Sequence, residues 1–183
     1  DANKFKGYVY LGNIQPDLQL SIINQIHNSK KIISDTMNLW IDISNESLWE
    51  VIKRTDIFLL NDEEAAQLTN KDNLKEAAYK LLSFGPEYVI IKQGSFGSTI
   101  FSNNLEISVP SNRNVKAKDP TGAGDSFAGG MVGFLAENGS DRIIDAVIQA
   151  TSLASFTVSD IGINGLLKAD RELINNIDKE IRN

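Results

Sequence analysis

The stretch Lys118-Asp119-Pro120-Thr121-Gly122-Ala123-Gly124-Asp125-Ser126-Phe127-Ala128-Gly129-Gly130 sets a glycine-rich turn and one carboxylate at the start of an apolar helical run. Gly122 and Gly124 let the backbone curl without Cβ hindrance. The first N–H groups of the following helix lack intrahelical partners, and the helix dipole favours negative charge beside them, so the segment is suited to hold phosphate. A carboxylate at that place is repulsive to phosphate unless a metal or a proton transfer makes use of it. The economical reading is a phosphoryl-transfer site in which Asp125 accepts a hydroxyl proton. A purely structural reading stands beside it: Asp119 as an N-cap, Pro120 in the first turn, and Gly129-Gly130 for close helix packing. No Gly-x4-Gly-Lys-Ser/Thr string occurs in the chain, and Gly122-x-Gly124-x-x-Phe127 lacks the third glycine of a dinucleotide fingerprint. Walker-type and Rossmann-type nucleotide sites are therefore disfavoured.

Upstream, short β-branched or aromatic runs alternate with amphipathic segments, the pattern of a largely parallel sheet with covering helices. Strands are predicted over 8–11, 31–34, 57–60 and 88–91, with a hairpin of 98–101 and 105–109 around Asn103-Asn104. Helices are predicted from about residue 16, over 46–54, from 124 to about 137, from 141 to about 156, and from 171 to about 181. Ile57-Phe58-Leu59-Leu60 is apolar throughout, as a strand buried on both faces should be, and it ends at Asn61. Ligands of open α/β sheets lie beyond the carboxyl ends of the strands, so Asn13, Asn38, Asn61 and Lys92 are expected to crowd one edge.

The chain has 183 residues, of which 42% are hydrophobic, enough for one sizeable core, and no linker, repeat or low-complexity tract divides it. One domain over 1–183 is expected. A net charge of −6 without basic clusters points away from nucleic acid and anionic membranes. There is no cysteine, which excludes disulfides and thiolate metal sites. No apolar run reaches membrane-spanning length, and Asp1-Ala2-Asn3-Lys4 lacks the apolar core of a secretory signal, so the expected location is cytoplasmic. The glycosylation patterns at Asn45-Glu46-Ser47 and Asn138-Gly139-Ser140 then read as chance. The sole histidine, His27, has no partner at metal or triad spacing and reads as a surface or capping residue.

The segment Asp119-Pro120-Thr121-Gly122-Ala123-Gly124-Asp125-Ser126-Phe127-Ala128-Gly129-Gly130 resembles the C-terminal signature of the ribokinase, or PfkB, family of carbohydrate and nucleoside kinases. Two weaker matches precede it in the family's order. Asn61-Asp62-Glu63-Glu64 resembles an Asn-x-x-Glu segment, and Lys92-Gln93-Gly94-Ser95-Phe96-Gly97 a strand-end Gly-x-x-Gly segment. The resemblance implies a ribokinase-like three-layer α/β/α sandwich with a mostly parallel central sheet. It also implies an additional N-terminal segment of roughly a hundred residues, with much of the acceptor pocket and a β-rich lid, absent from this chain. A homodimer paired through that lid is a candidate assembly.

The implied activity is transfer of the γ-phosphoryl group of ATP, with Mg²⁺, to a hydroxyl of a small sugar or nucleoside. In that reading Asp125 is the base, and the N–H groups of Gly122, Ala123 and Gly124 stabilise charge on the transferred group. Asn61 and Glu64 organise Mg²⁺, its waters and the phosphates. Without the resemblance, an ordinary helix start is the favoured reading of the same pair. Lys92, Gly94, Gly97 and Thr121 fall to ATP, with a surface turn as the alternative for Lys92. Asp119 and Thr121 match positions that offer oxygens to a monovalent cation such as K⁺, with capping as the alternative. Residues 109–117 and 150–154, near Gly162, are placed to meet adenine. Asn13, Asp35 and Asn38 are placed to meet acceptor or nucleotide. Asp35-Thr36-Met37-Asn38-Leu39-Trp40 is similar to a family segment Asp-x-Asn-x-Arg-x-x-Leu-Trp but has no Arg, which weakens an acidic-sugar assignment. Two other readings on the same fold are a non-catalytic nucleotide-binding or regulatory module and an ATP-dependent hydratase-type relative.

Overall fold

Four consecutive apolar runs form parallel strands that place their carboxyl ends along one edge. In the computed structural model, which describes residues 6–182, these are β1 (Tyr8–Leu11), β2 (Lys31–Asp35), β3 (Ile57–Asn61) and β4 (Tyr88–Lys92). Asp1-Ala2-Asn3-Lys4 lies outside the described residues. Between the strands come α1 (Pro16–Gln25), α2 (Asn38–Ile43), α3 (Asn45–Lys53), α4 (Asp62–Thr69) and α5 (Leu74–Leu82). The register pairs Leu11 with Ser34, Asp35 with Leu59, and Asn61 with Lys92. β5 (Ser98–Phe101) and β6 (Glu106–Val109) extend the sheet to six strands in sequence order, and Ser102 N donates to Leu105 O (2.8 Å) in their connection. A four-residue link can join only antiparallel neighbours, so the sheet is mixed.

The chain divides into two compact units, Asp1–Gln93 with Thr99–Ile107, and Gly94–Ser98 with Ser108–Asn183. In the first, side chains alternate across the sheet with a period of two. Phe58, Leu60, Val89 and Ile91 share one face and pack with Leu48, Ile52, Ala65, Ala77, Ala78 and Leu81 of the covering helices. Each large aliphatic or aromatic side chain so buried contributes about 2 kcal/mol. Ile33, Ile57, Leu59 and Ile90 on the opposite face are equally buried, which explains why these strands read as unbroken apolar runs.

The second unit is built on α6 (Ala123–Asn138), α7 (Ile143–Val158) and α8 (Arg171–Arg182). Gly130 of α6 lets the helices approach closely: a Cβ there would lie 2.7 Å from Leu153 Cδ1 and 3.2 Å from Ala150 Cα. Gly129 faces open space, so the packing role expected of the pair belongs to Gly130 alone. α8 buries Ile181 and is held by polar contacts: Ser152 Oγ donates to Asp178 Oδ1 (2.5 Å), Asn114 Nδ2 to Glu180 Oε2 (2.9 Å), and Arg182 pairs with Asp145. No helix among the described residues is long and apolar enough to cross a membrane.

Strand and helix positions agree with the sequence-based expectation to within one or two residues, with two additions, α2 and α5. The first has six residues and no side-chain cap. The second is capped by Asn73, whose Oδ1 accepts from Lys75 N and Glu76 N.

Candidate active site

The signature helix begins one residue earlier than expected. Its N-cap is Gly122, in the left-handed region at φ +80°, a conformation that favours glycine. Asp119 therefore does not cap α6, and Pro120 stands before its first turn. Asp119 instead closes a tight turn, its Oδ1 accepting from Thr121 N at 3.0 Å. The Thr121 N–H, the Thr121 hydroxyl and the Gly162 N–H together hold the Asp119 carboxyl below the usual carboxylate range. Three of the local backbone donors are occupied: Thr121 N by Asp119, Ala123 N by Pro120 O (3.1 Å) and Ser126 N by Gly122 O (2.9 Å). The N–H groups of Gly122, Gly124 and Asp125 have no protein acceptor among the described residues. The donors open to an anion are thus Gly122, Gly124 and Asp125, where the sequence pointed to Gly122, Ala123 and Gly124. Asp125 is exposed in the first turn of α6, and its side chain makes no hydrogen bond or ion pair among the described residues. Behind it Thr157 Oγ1 and Ser126 Oγ share a 2.7 Å hydrogen bond that ties α7 to this first turn.

Within the same unit, Gly94 and Gly97 flank a 3₁₀ turn, Gly94–Phe96. They serve different ends. A Cβ on Gly97 (φ +98°) would lie 2.1 Å from Val109 O and 2.7 Å from Ser111 N, so the chain's own backbone occupies that space. Gly94 (φ +55°) has nothing within 4 Å of such a Cβ and leaves its surface open.

In the first unit, Asn61 and Glu64 form a reciprocal cap on α4. Glu64 N donates to Asn61 Oδ1 (2.7 Å), and Asn61 N donates to Glu64 Oε2 (2.7 Å). The ordinary helix-start reading is thus correct as local structure, and it leaves Glu64 Oε1 without a protein hydrogen bond among the described residues. Glu64 is 6% exposed, and burial pushes its carboxyl above the usual range, against the Asn61 N–H and the nearby Lys92 charge. Among the described residues no three His, Cys, Asp or Glu side chains gather into a metal-holding group. A single buried carboxylate fits Mg²⁺, which keeps several waters and takes one or two carboxylates plus phosphate oxygens.

Lys92, opposite Asn61, is bound to Asp35: Nζ lies 3.1 Å from Oδ2 and 3.4 Å from Oδ1. Asp35 also accepts from Thr36 N (2.8 Å), and Tyr10 OH lies 3.5 Å from its Oδ2. Gln19, which no sequence motif singles out, sits beneath with Nε2 donating to the carbonyls of Leu11, Gly12 and Asp35. Asn13 and Asn38 are engaged at the surface. Trp40 Nε1 donates to Asn13 Oδ1 (2.8 Å), and Asn38 Nδ2 donates to Gln67 Oε1 (2.8 Å).

Asn61 and Lys92 thus stand at the ends of β3 and β4 with Glu64 in the first turn of α4, and in the second unit the glycine-capped α6 opens on Asp125. The chain belongs to the pfkB family of carbohydrate kinases, which matches residues 2–169. It is similar to a cytidine kinase of Thermococcus kodakarensis (27% identity over 143 residues, 76% of this chain and 50% of the relative). It is also similar to a nucleoside kinase of Methanocaldococcus jannaschii (26% over 171 residues, 93% of this chain and 55% of the relative). The chain thus spans about half the length of these curated relatives. In fold it resembles a ribokinase of Thermotoga maritima, at a TM-score of 0.77 and 25% identity, over 94% of this chain and 57% of that one.

Proposed function

We propose that this chain carries the nucleotide-binding and phosphoryl-transfer part of an ATP- and Mg²⁺-dependent kinase whose acceptor is a hydroxyl of a small sugar or nucleoside. The family match runs through both compact units, which supports one ribokinase-like domain over 1–183. The observation that carries the reading is the start of α6: an exposed carboxylate, unpaired among the described residues, beside three backbone donors without acceptors there.

Asp125 takes the proton of the acceptor hydroxyl as that oxygen forms its bond to the γ-phosphorus. The bond from the γ-phosphorus to the bridging oxygen breaks, and ADP leaves with that electron pair. The N–H groups of Gly122, Gly124 and Asp125 stabilise the equatorial oxygens, and they are oriented before reaction, so no reorganisation is needed. Glu64 and Asn61 would hold Mg²⁺ through water, and the bound ion neutralises charge on the phosphates. Gly94 gives the nucleotide an unobstructed approach to backbone, and Thr121 lies at the edge of the anion site. Nucleoside is the favoured acceptor class, because two relatives that match 76% and 93% of this chain bear the names cytidine kinase and nucleoside kinase.

The test is acceptor-dependent ADP formation by the full-length protein across a panel of sugars and nucleosides, with Asp125→Asn in parallel. Turnover on one acceptor class, falling by roughly 10²–10⁴-fold in the variant, is expected. ATP binding without turnover on any acceptor would turn the assignment to a regulatory module.

A further inference from the structure

Lys92 stands at a strand end with an observed partner that differs from its expected role. As a phosphate ligand its amine would be available at the surface. Instead its side chain is 20% exposed and reaches both oxygens of Asp35, whose own side chain is 7% exposed. The contact crosses a strand. Asp35 lies level with Leu59, and Lys92 with Asn61, so the lysine on β4 spans β3 to meet the carboxylate on β2. Strands two apart are separated by about 9.6 Å, a gap that an extended lysine and an aspartate close together. All three residues, Asp35, Asn61 and Lys92, sit on the same face of the sheet by the two-residue period.

The charges around this contact explain why it matters. Glu64 and Asp35 are both more than nine-tenths buried, and the Lys92 ammonium offsets their mutual repulsion at Glu64. Moving Lys92 onto a phosphate would break an ion pair to a carboxylate that is 5% exposed, a costly change. Asp35 is itself fixed by Thr36 N, and its main-chain carbonyl by Gln19 Nε2. The cation is therefore anchored to the sheet and not to solvent.

We propose that the Asp35–Lys92 pair is a strap across β3 that positions the Asn61–Glu64 cap for Mg²⁺-bound nucleotide, with Lys92 acting through that cap and not as a phosphate ligand. The inference rests on the kinase reading above. The two ideas make opposite forecasts for Asp35. If Lys92 binds phosphate directly, Asp35→Asn frees the lysine, removes a negative charge and tightens nucleotide binding. If the pair is a strap, Asp35→Asn and Lys92→Met both weaken it.

The experiment is calorimetric titration of the full-length protein with a non-hydrolysable ATP analogue, with Mg²⁺ and with Mg²⁺ chelated. The proteins are the unaltered form, Asp35→Asn, Lys92→Met, Lys92→Arg and the Asp35→Asn/Lys92→Met double variant. With Mg²⁺, each single loss weakens binding by roughly tenfold and the double variant is no weaker than either, because one shared interaction is removed. Lys92→Arg restores most of the affinity. With Mg²⁺ chelated the variants converge on the unaltered protein, a pattern that a general packing defect does not produce. Asp35→Asn keeps the shape and the acceptor for Thr36 N, and urea unfolding monitors its fold. If the unaltered protein binds nucleotide and Asp35→Asn binds it equally well or more tightly, the strap is refuted while the kinase reading stands. If the unaltered protein binds no nucleotide, the kinase reading falls, and the strap falls with it.

Discussion

Gly97→Ala and Gly94→Ala, two changes three residues apart in one loop, should have opposite profiles. At Gly97 a methyl group would meet Val109 O at 2.1 Å, Ser111 N at 2.7 Å and Pro110 C at 2.8 Å. All three are backbone atoms, so no side chain can swing aside, and residues 109–111 or the loop must move. The positive φ costs a residue with a Cβ about 1–2 kcal/mol, and forced displacement of packed atoms adds about 1–3 kcal/mol. The sum is about 2–5 kcal/mol. For a chain of this size each kcal/mol lowers Tm by about 2–4 °C, so Gly97→Ala should melt roughly 10 °C lower. Gly94 carries only the conformational term, about 1 kcal/mol or roughly 3 °C. Thermal melts and urea titrations on the full-length protein compare the two, and titration with an ATP analogue gives the second axis. Gly94→Ala should lose nucleotide affinity out of proportion to its small loss of stability, because its open surface is where backbone can approach a ligand. Equal melting temperatures for the two variants would refute the division of labour drawn from the geometry.

Further expectations concern the start of α4 and the end of α8. Asn61→Ala removes the acceptor of Glu64 N and should cost about 1 kcal/mol, whereas Asn61→Asp should retain the cap; urea midpoints distinguish them. Burial pushes the Asp178 carboxyl up, against the Ser152 hydroxyl and the Arg182 charge. A folded-state pKa above the unfolded value means that this carboxyl's contribution to stability is fully present below about pH 4 and is lost as pH rises through the folded value. Asp178→Asn should therefore raise the urea midpoint at pH 7.5 and leave it unchanged near pH 3.5, since the amide oxygen can still accept from Ser152. A midpoint that falls at pH 7.5 would show that the carboxylate's attraction to Arg182 outweighs its burial.

Much of the fold is legible in the sequence because its signals are local. The apolar runs at 57–60 and 88–91 declare strands buried on both faces, and the Gly-rich turn before an apolar run declares a glycine-capped helix start. α5 carries a fainter signal of the same kind: Asn73 followed by Glu76, with Ala77, Ala78, Leu81 and Leu82 at helical spacing, becomes a helix start once Asn73 is recognised as its cap. α2 has no such signal, since nothing caps it and its six residues give too short a period to read. The site divides the same way. Asn61–Glu64 and Gly122–Asp125 are contiguous motifs, so spacing exposes them. The Asp35–Lys92 contact joins residues 57 apart in sequence and depends on strand order and register, which no local pattern encodes. Gln19 is hidden for the same reason: a glutamine in an amphipathic helix reads as solvent-facing, yet it is 1% exposed and ties three strand-end carbonyls together.

The reciprocal cap on α4 has a consequence for protein engineering. The side chains that start the helix are those proposed to face the metal, so selection for a folded chain and selection for a working one press on the same atoms. A screen that scores variants by abundance will flag Asn61 and Glu64 as structural, and a screen that scores turnover will flag them as functional. On the proposed metal role each screen is right about these two positions, and neither alone reveals the overlap. The surface around Asn13 and Asn38, where the hydrogen bonds to Trp40 and Gln67 are solvent-exposed, can be varied while leaving the cap untouched.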